Sequence, residues 1–314
     1  MVRFNAMVGL LRVVACYAVV SCHFGAKVPL SDYAVPAFMI LAFYFWKVRT
    51  RSELVNRLRR IAVPYVAWGL IGVLSRCVIE RRINAEWIVN QILFGMSGNS
   101  PLYFLQLVMI GTIIVFYVQQ LFPERKFFVL GVVSGCCLVL QYSGMNNLMW
   151  RVFSPYGEVT MGRMIECFPF MVIGYFLASH LQSVWVKVKM SRVTESVLAV
   201  CVLGAIFCGR MDVHGYGYAG VLRMIGATAF TFLAIVSGEV LNRMDADYIG
   251  GILWGFSALT PGIYYSHKII GSLIVFALPL SVREEIWLTL LVFVLSAIAA
   301  WCCHKINFLE PYVR

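Results

Sequence analysis

A chain of 314 residues that is 61% hydrophobic and only 13% charged, with a mean hydropathy of +0.82, is no soluble globular domain. Its net charge of +11 would suggest nucleic acid in a soluble protein. Here the basic residues gather in a few stretches between apolar runs, as membrane topology requires, so the composition predicts an all-α polytopic membrane protein and no nucleic-acid partner. The ten cysteines lie mostly in apolar segments without Cys-x-x-Cys spacing, which predicts small core residues and no zinc site.

Ten apolar runs are long enough to span: 5–25, 33–48, 61–79, 101–121, 127–143, 162–180, 194–210, 218–238, 258–279 and 286–304. The first, "GLLRVVACYAVVSCHFGA" from Gly9, is interrupted by Arg12 and His23. An arginine near the middle of a spanning helix costs about 2.5–3.5 kcal/mol on insertion scales. Eleven residues at about 100° each come within about 20° of three full turns, so both side chains share a face, about 16 Å apart along the axis. Two costly groups on one face of one span point to function. "VVSC" at Val19–Cys22 resembles a lipoprotein cleavage box, yet cleavage would discard Arg12, so the segment is read as a retained helix.

The second run is the weakest as a span. Before the third, "NRLRRIAVPYVAW" from Asn56 puts Arg57 and Arg60 three residues apart on one face, with Arg59 pointing elsewhere. That basic helix end is a cytoplasmic anchor and would also bind the phosphates of a nucleotide-bearing cofactor. In the fifth run, Gly131 and Gly135 are spaced for close helix approach, as are Gly251 and Gly255 later in the chain. At the sixth, Arg163 and Glu166 either pair with each other at i, i+3 or leave Glu166 as an acid facing substrate.

"GYGYAG" from Gly215 fits a dinucleotide glycine pattern, but no strand precedes it. Asp245 and Asp247 resemble a metal-binding pair and are equally explained by a solvated loop. Residues 248–257 could form a short interfacial helix before the ninth run. In "TPGIYYSHKII", Thr260 is expected to cap and Pro261 to occupy the first helical turn, with His267 and Lys268 two turns on as costly polar groups in an apolar run. Lys and Arg favour the side holding both termini, which predicts cytoplasmic termini, although Arg76, Arg81 and Arg82 oppose it. No connection is long enough for a soluble domain, so residues 1–314 are expected to form one integral-membrane domain.

Taken together, these motifs resemble the integral-membrane acyltransferase-3 proteins, bacterial O-acyltransferases of cell-surface carbohydrates. Arg12 and His23 with Leu11, Ala15 and Val19 are similar to that family's first-helix signature. "VPAFMILAFYFW" from Val35 resembles its second helix, and Arg57, Arg60, Ile61, Pro64, Tyr65 and Trp68 resemble its third. "SPLYFLQLVMI" from Ser100, "FPFMVIGYFLA" from Phe168 and "IYYSHKII" from Ile263 follow in the family's order. Two departures stand out: Ala42-Phe43 replaces a usual Ser-Gly pair, and Tyr103 stands where a Trp is usual.

The resemblance implies transfer of an acyl group, by default acetyl, from cytoplasmic acetyl-CoA or another acyl-coenzyme A to a lipid-linked or surface saccharide. It implies a bacterial inner-membrane location and no metal. On this reading Arg57 and Arg60 bind coenzyme A phosphates, Arg12 guides the thioester arm, and His23 is the general base, with an acyl-histidine as the competing version. His267, Glu166 and Tyr103 are expected around the substrate. The rival is a secondary transporter or lipid-carrier flippase with an Arg/His/Glu path, though no repeated halves are evident. A metal-dependent glycosyltransferase resting on Asp245 and Asp247 is a third.

Overall fold

A computed structural model describes residues 6–24, 31–94, 102–142, 155–184, 219–243, 247–277 and 285–306. Among them are ten helices and no strand. In chain order these are α1 (Ala6–His23), α2 (Ser31–Tyr44), α3 (Arg51–Glu80), α4 (Ala85–Phe94) and α5 (Tyr103–Leu121), followed by α6 (Lys126–Tyr142), α7 (Pro155–Val184), α8 (Ala219–Arg243), α9 (Asp247–Ala277) and α10 (Glu285–Lys305). Each predicted span except 194–210 falls on one of these helices. That span lies outside the described residues, as do Gly215, Gly217 and Asp245.

Among the described residues, four helices are long and apolar enough to cross a membrane by length and composition: Ala6–His23, Arg51–Glu80, Tyr103–Leu121 and Trp287–Lys305. Shorter apolar stretches run over Tyr33–Tyr44, Lys126–Gln141 and Met224–Val236. The chain is therefore an all-α membrane protein. Burial separates its central helices from its outer ones: 56% of the α1 window is buried, against 22% for the last span.

Helix α2 explains its own weakness as a span. Its 14 residues reach about 21 Å, short of the roughly 30 Å hydrocarbon thickness. It packs against α1, α7 and α8, with Tyr33, Ala34, Ala37, Met39, Ile40, Leu41, Phe43 and Tyr44 all buried. Protein surrounds it, so its length need not match the bilayer. Contact with α7 is closest at Gly174, where a Cβ would collide with the backbone carbonyl of Ile40.

Helix α3 begins ten residues before its apolar run because a capping box starts it there. The Glu53 N–H donates to the Thr50 hydroxyl at 3.3 Å, and the Glu53 carboxylate accepts from the Thr50 N–H at 3.0 Å. Arg57 and Arg60 are thereby fixed on a regular helix rather than a loop. The helix ends at Arg81 in the left-handed region (φ 51°, ψ 31°). Next, the Asn84 side-chain Oδ1 accepts from the Glu86 N–H at 2.8 Å and opens α4, a helix of ten residues absent from the sequence reading.

Three sequence expectations are corrected. Helix α9 runs unbroken from Asp247 to Ala277, so 248–257 is not a separate interfacial helix. Thr260 and Pro261 consequently lie inside it and cap nothing. Pro261 has no N–H to give the Ser257 carbonyl, and the Thr260 hydroxyl donates to that carbonyl instead, at 2.8 Å. The proline leaves no orphaned acceptor there, and the helix continues. Finally, Gly131, Gly135 and Gly255 have no neighbour within 4 Å of a built Cβ, so they mediate no close approach among the described residues. The eight cysteines among the described residues are all free.

Candidate functional site

Helices α1, α2, α3, α5 and α9 enclose a cavity of about 600 Å³. Arg12 enters it from α1, Arg57 and Arg60 from α3, and an apolar wall of Phe38, Phe104, Tyr264 and Tyr265 closes the rest. Arg59 lines no part of it. The ion pairs among the described residues are Arg76–Glu80, Arg82–Glu80 and Arg163–Glu166. Arg12, Arg57 and Arg60 belong to none of them, and among the described residues no acidic side chain lines the cavity. Three guanidiniums facing one partly apolar space, with no carboxylate beside them among the described residues, suit an anion, and their planar donor forks match a carboxylate or a phosphate.

Arg57 is the most firmly held of the three. Its Nε donates to the Thr112 hydroxyl at 3.2 Å and its Nη2 to the Ala42 carbonyl at 2.8 Å. The guanidinium carbon lies 5.1 Å from the Trp46 ring centroid and 5.5 Å from that of Phe43. These contacts leave the other N–H groups of the fork for a ligand. Arg60 is exposed and Arg12 half-buried. The Cys16 thiol, one turn beyond Arg12, donates to the Thr260 carbonyl at 3.6 Å and ties α1 to α9.

His23 and His267 form a second constellation, next to the cavity and outside its lining. The exposed His23 ends α1 and stacks on the wholly buried His267 of α9, with ring centroids 5.2 Å apart and planes at 27°. His267 Nδ1 lies 2.7 Å from the Tyr264 carbonyl and 3.3 Å from that of Ile263. A carbonyl only accepts, so Nδ1 carries the proton and Nε2 of the neutral ring keeps the lone pair. That Nε2 is buried with no hydrogen-bond partner among the described residues. Tyr264 links the two constellations, because its ring lines the cavity and lies 5.9 Å from the His267 ring.

Five of the expected site residues are thus gathered around α1 and α9, and two stand apart. Tyr103 opens α5 and packs half-buried against the core of α2, α5 and α7, and does not line the cavity. Glu166 accepts from Arg163 Nη1 at 2.7 Å, the local pair that the i, i+3 spacing allows. Sequence reasoning missed Phe38, Phe104, Trp46 and Thr112. Their residue types are ordinary in an apolar helix, and only the lone Thr112 inside an apolar run carries a weak signal.

Compared with known proteins, residues 5–305 match the acyltransferase-3 family, described as an acyltransferase domain. No curated protein and no solved structure matches the chain.

Proposed function

This chain belongs to the acyltransferase-3 family and is an acyltransferase; we propose that it carries an acyl group, most simply acetyl, from cytoplasmic acyl-coenzyme A to a hydroxyl of a lipid-linked or surface saccharide at the bacterial inner membrane. One observation carries the reading. Three arginines without carboxylate partners line a single cavity, and its far wall, at Tyr264, abuts a pair of histidines.

With both termini in the cytoplasm, the arginines in the N-terminal halves of α1 and α3 face the donor's side of the membrane. Arg57 and Arg60 hold the phosphates, and Arg12, deeper on α1, guides the thioester arm. The aromatic wall excludes water from the acyl end. His23 takes the proton of the acceptor hydroxyl as the oxygen bonds to the thioester carbon. The carbon–sulfur bond breaks, coenzyme A leaves as a thiolate, and the proton returns from the imidazolium to that sulfur. The products are an ester and a thiol, with no co-reactant required. His267, held by the Tyr264 carbonyl, braces the His23 ring.

The test is thiol release by the purified protein in lipid, supplied with acetyl-coenzyme A and a bacterial lipid extract. His23→Ala should lower release by about 10²–10⁴-fold, the usual scale of general acid–base catalysis, with the protein still folded because His23 is exposed. Full activity in that variant refutes the role of His23. Wild-type protein that neither binds nor turns over acyl-coenzyme A overturns the donor assignment and favours a transporter with a path along Arg12, His23 and Glu166.

A further inference from the structure

We propose that Gln119 is a positioning residue for the anion site: it fixes Trp46, and through Trp46 the guanidinium of Arg57, in the orientation that meets a donor phosphate. This rests on the acyl-coenzyme A reading above and adds to it a residue that lines no part of the cavity.

Gln119 lies near the end of α5, between the α2–α3 connection and α7. Its Oε1 accepts from Trp46 Nε1 at 3.1 Å and from the Tyr175 hydroxyl at 3.1 Å. Its Nε2 donates to the Val48 carbonyl at 3.5 Å. Indole nitrogen only donates and a carbonyl only accepts, so the amide has one consistent orientation, the one observed. The Trp46 ring so held stacks on Phe43, with centroids 5.6 Å apart and planes at 9°. Arg57 lies against both rings, and its edge is tied to Thr112 and Ala42.

The chain of contacts thus runs from Tyr175 on α7 to Gln119 on α5, to Trp46, and to Arg57 on α3. A primary amide inside an apolar helix is costly unless its hydrogen bonds are made. Here one of them goes to the indole that lies against the Arg57 guanidinium. A flexible arginine must lose rotamer freedom when it binds phosphate, and that loss weakens binding. A guanidinium already confined by two rings and two hydrogen bonds has lost it beforehand. Gln119 acts on donor affinity through this confinement and leaves the chemical step alone.

The experiment compares wild type, Gln119→Leu, Trp46→Phe and Thr231→Val in lipid. KM and kcat for acetyl-coenzyme A come from thiol release, and coenzyme A binding from calorimetry. Thr231→Val removes another buried hydrogen bond, that of the Thr231 hydroxyl to the Ala227 carbonyl at 2.8 Å on α8, away from Arg57. We expect Gln119→Leu to raise KM and the dissociation constant for coenzyme A about three- to tenfold with kcat unchanged. Trp46→Phe keeps a ring but loses the N–H, and should shift KM the same way, which covers the case in which Gln119→Leu fails to fold. Thr231→Val should leave KM alone.

Equal KM shifts in Gln119→Leu and Thr231→Val would mean a general structural role and overturn the proposal. So would a change in kcat alone, or an unchanged KM in a folded Gln119→Leu protein. If wild type neither binds nor turns over the donor, the donor reading fails and takes this proposal with it. A normal wild type with unmoved variants fails the proposal alone.

Discussion

The packing of α7 on α2 makes a quantitative prediction at Gly174. A Cβ built there would collide with the Ile40 carbonyl oxygen and lie 2.9 Å from its carbon and 3.0 Å from the Ile40 Cα. All three atoms are backbone, so no side-chain rotation relieves the contact, and the two helices must separate. Overpacking a well-filled core costs about 1–3 kcal/mol, and a clash with backbone belongs at the top of that range. The better helix propensity of alanine returns at most about 1 kcal/mol. Gly174→Ala should therefore lose about 2 kcal/mol.

Two other glycines calibrate it. At Gly111 the added atom meets the flexible end of Met171 and the Phe43 Cζ at 3.1 Å, so Gly111→Ala should cost less. At Gly131 it meets nothing within 4 Å, and Gly131→Ala should lose no stability. SDS-driven unfolding in mixed micelles gives the order. Because α2 carries Phe43 and the Ala42 carbonyl to Arg57, Gly174→Ala should also raise the donor KM. The reasoning is refuted if Gly174→Ala unfolds no more easily than Gly131→Ala.

Three further outcomes follow from the site and its supports. Arg60 is exposed and has no carboxylate partner, so Arg60→Ala should keep its unfolding midpoint while donor KM rises about tenfold or more, the scale of a charge-assisted hydrogen bond. Glu166 is paired with Arg163, whose side chain is 46% exposed. Such a pair is worth at most about 1 kcal/mol, and Glu166→Gln should leave thiol release within about twofold; a hundredfold loss would return Glu166 to the substrate. Thr260→Val leaves the Ser257 carbonyl without the hydroxyl that replaces the Pro261 N–H, and should cost about 1–3 kcal/mol in the same unfolding assay.

Much of this molecule was legible in its sequence. Hydrophobic runs are set by what a bilayer tolerates, so an all-α membrane protein followed from composition, and nine predicted spans fall on described helices, the tenth, 194–210, lying outside the described residues. Arg12 was legible for the same reason, because in apolar surroundings a charge stands out by its cost; Arg57 and Arg60 were legible by their spacing on one face of a basic helix end, and all three line one cavity. The pairing of Arg163 with Glu166 was one of two local options, since i, i+3 spacing fixes proximity and leaves the choice of partner to the surroundings.

Other features depended on contacts between distant segments. A Thr-Pro step looks the same at a helix start and in a helix interior, and only the hydroxyl on the Ser257 carbonyl distinguishes the second. Glycine spacing is silent about what faces it: Gly174, in no repeated motif, touches backbone, whereas Gly131 and Gly135 face open space. His23 and His267 are 244 positions apart, and their stacking could not be read from either helix. Gln119, Trp46 and Arg57 come from three segments of ordinary composition. Periodicity and the cost of burial are properties of one segment and are written along the chain, whereas partnership belongs to two or more segments and exists only once they have packed.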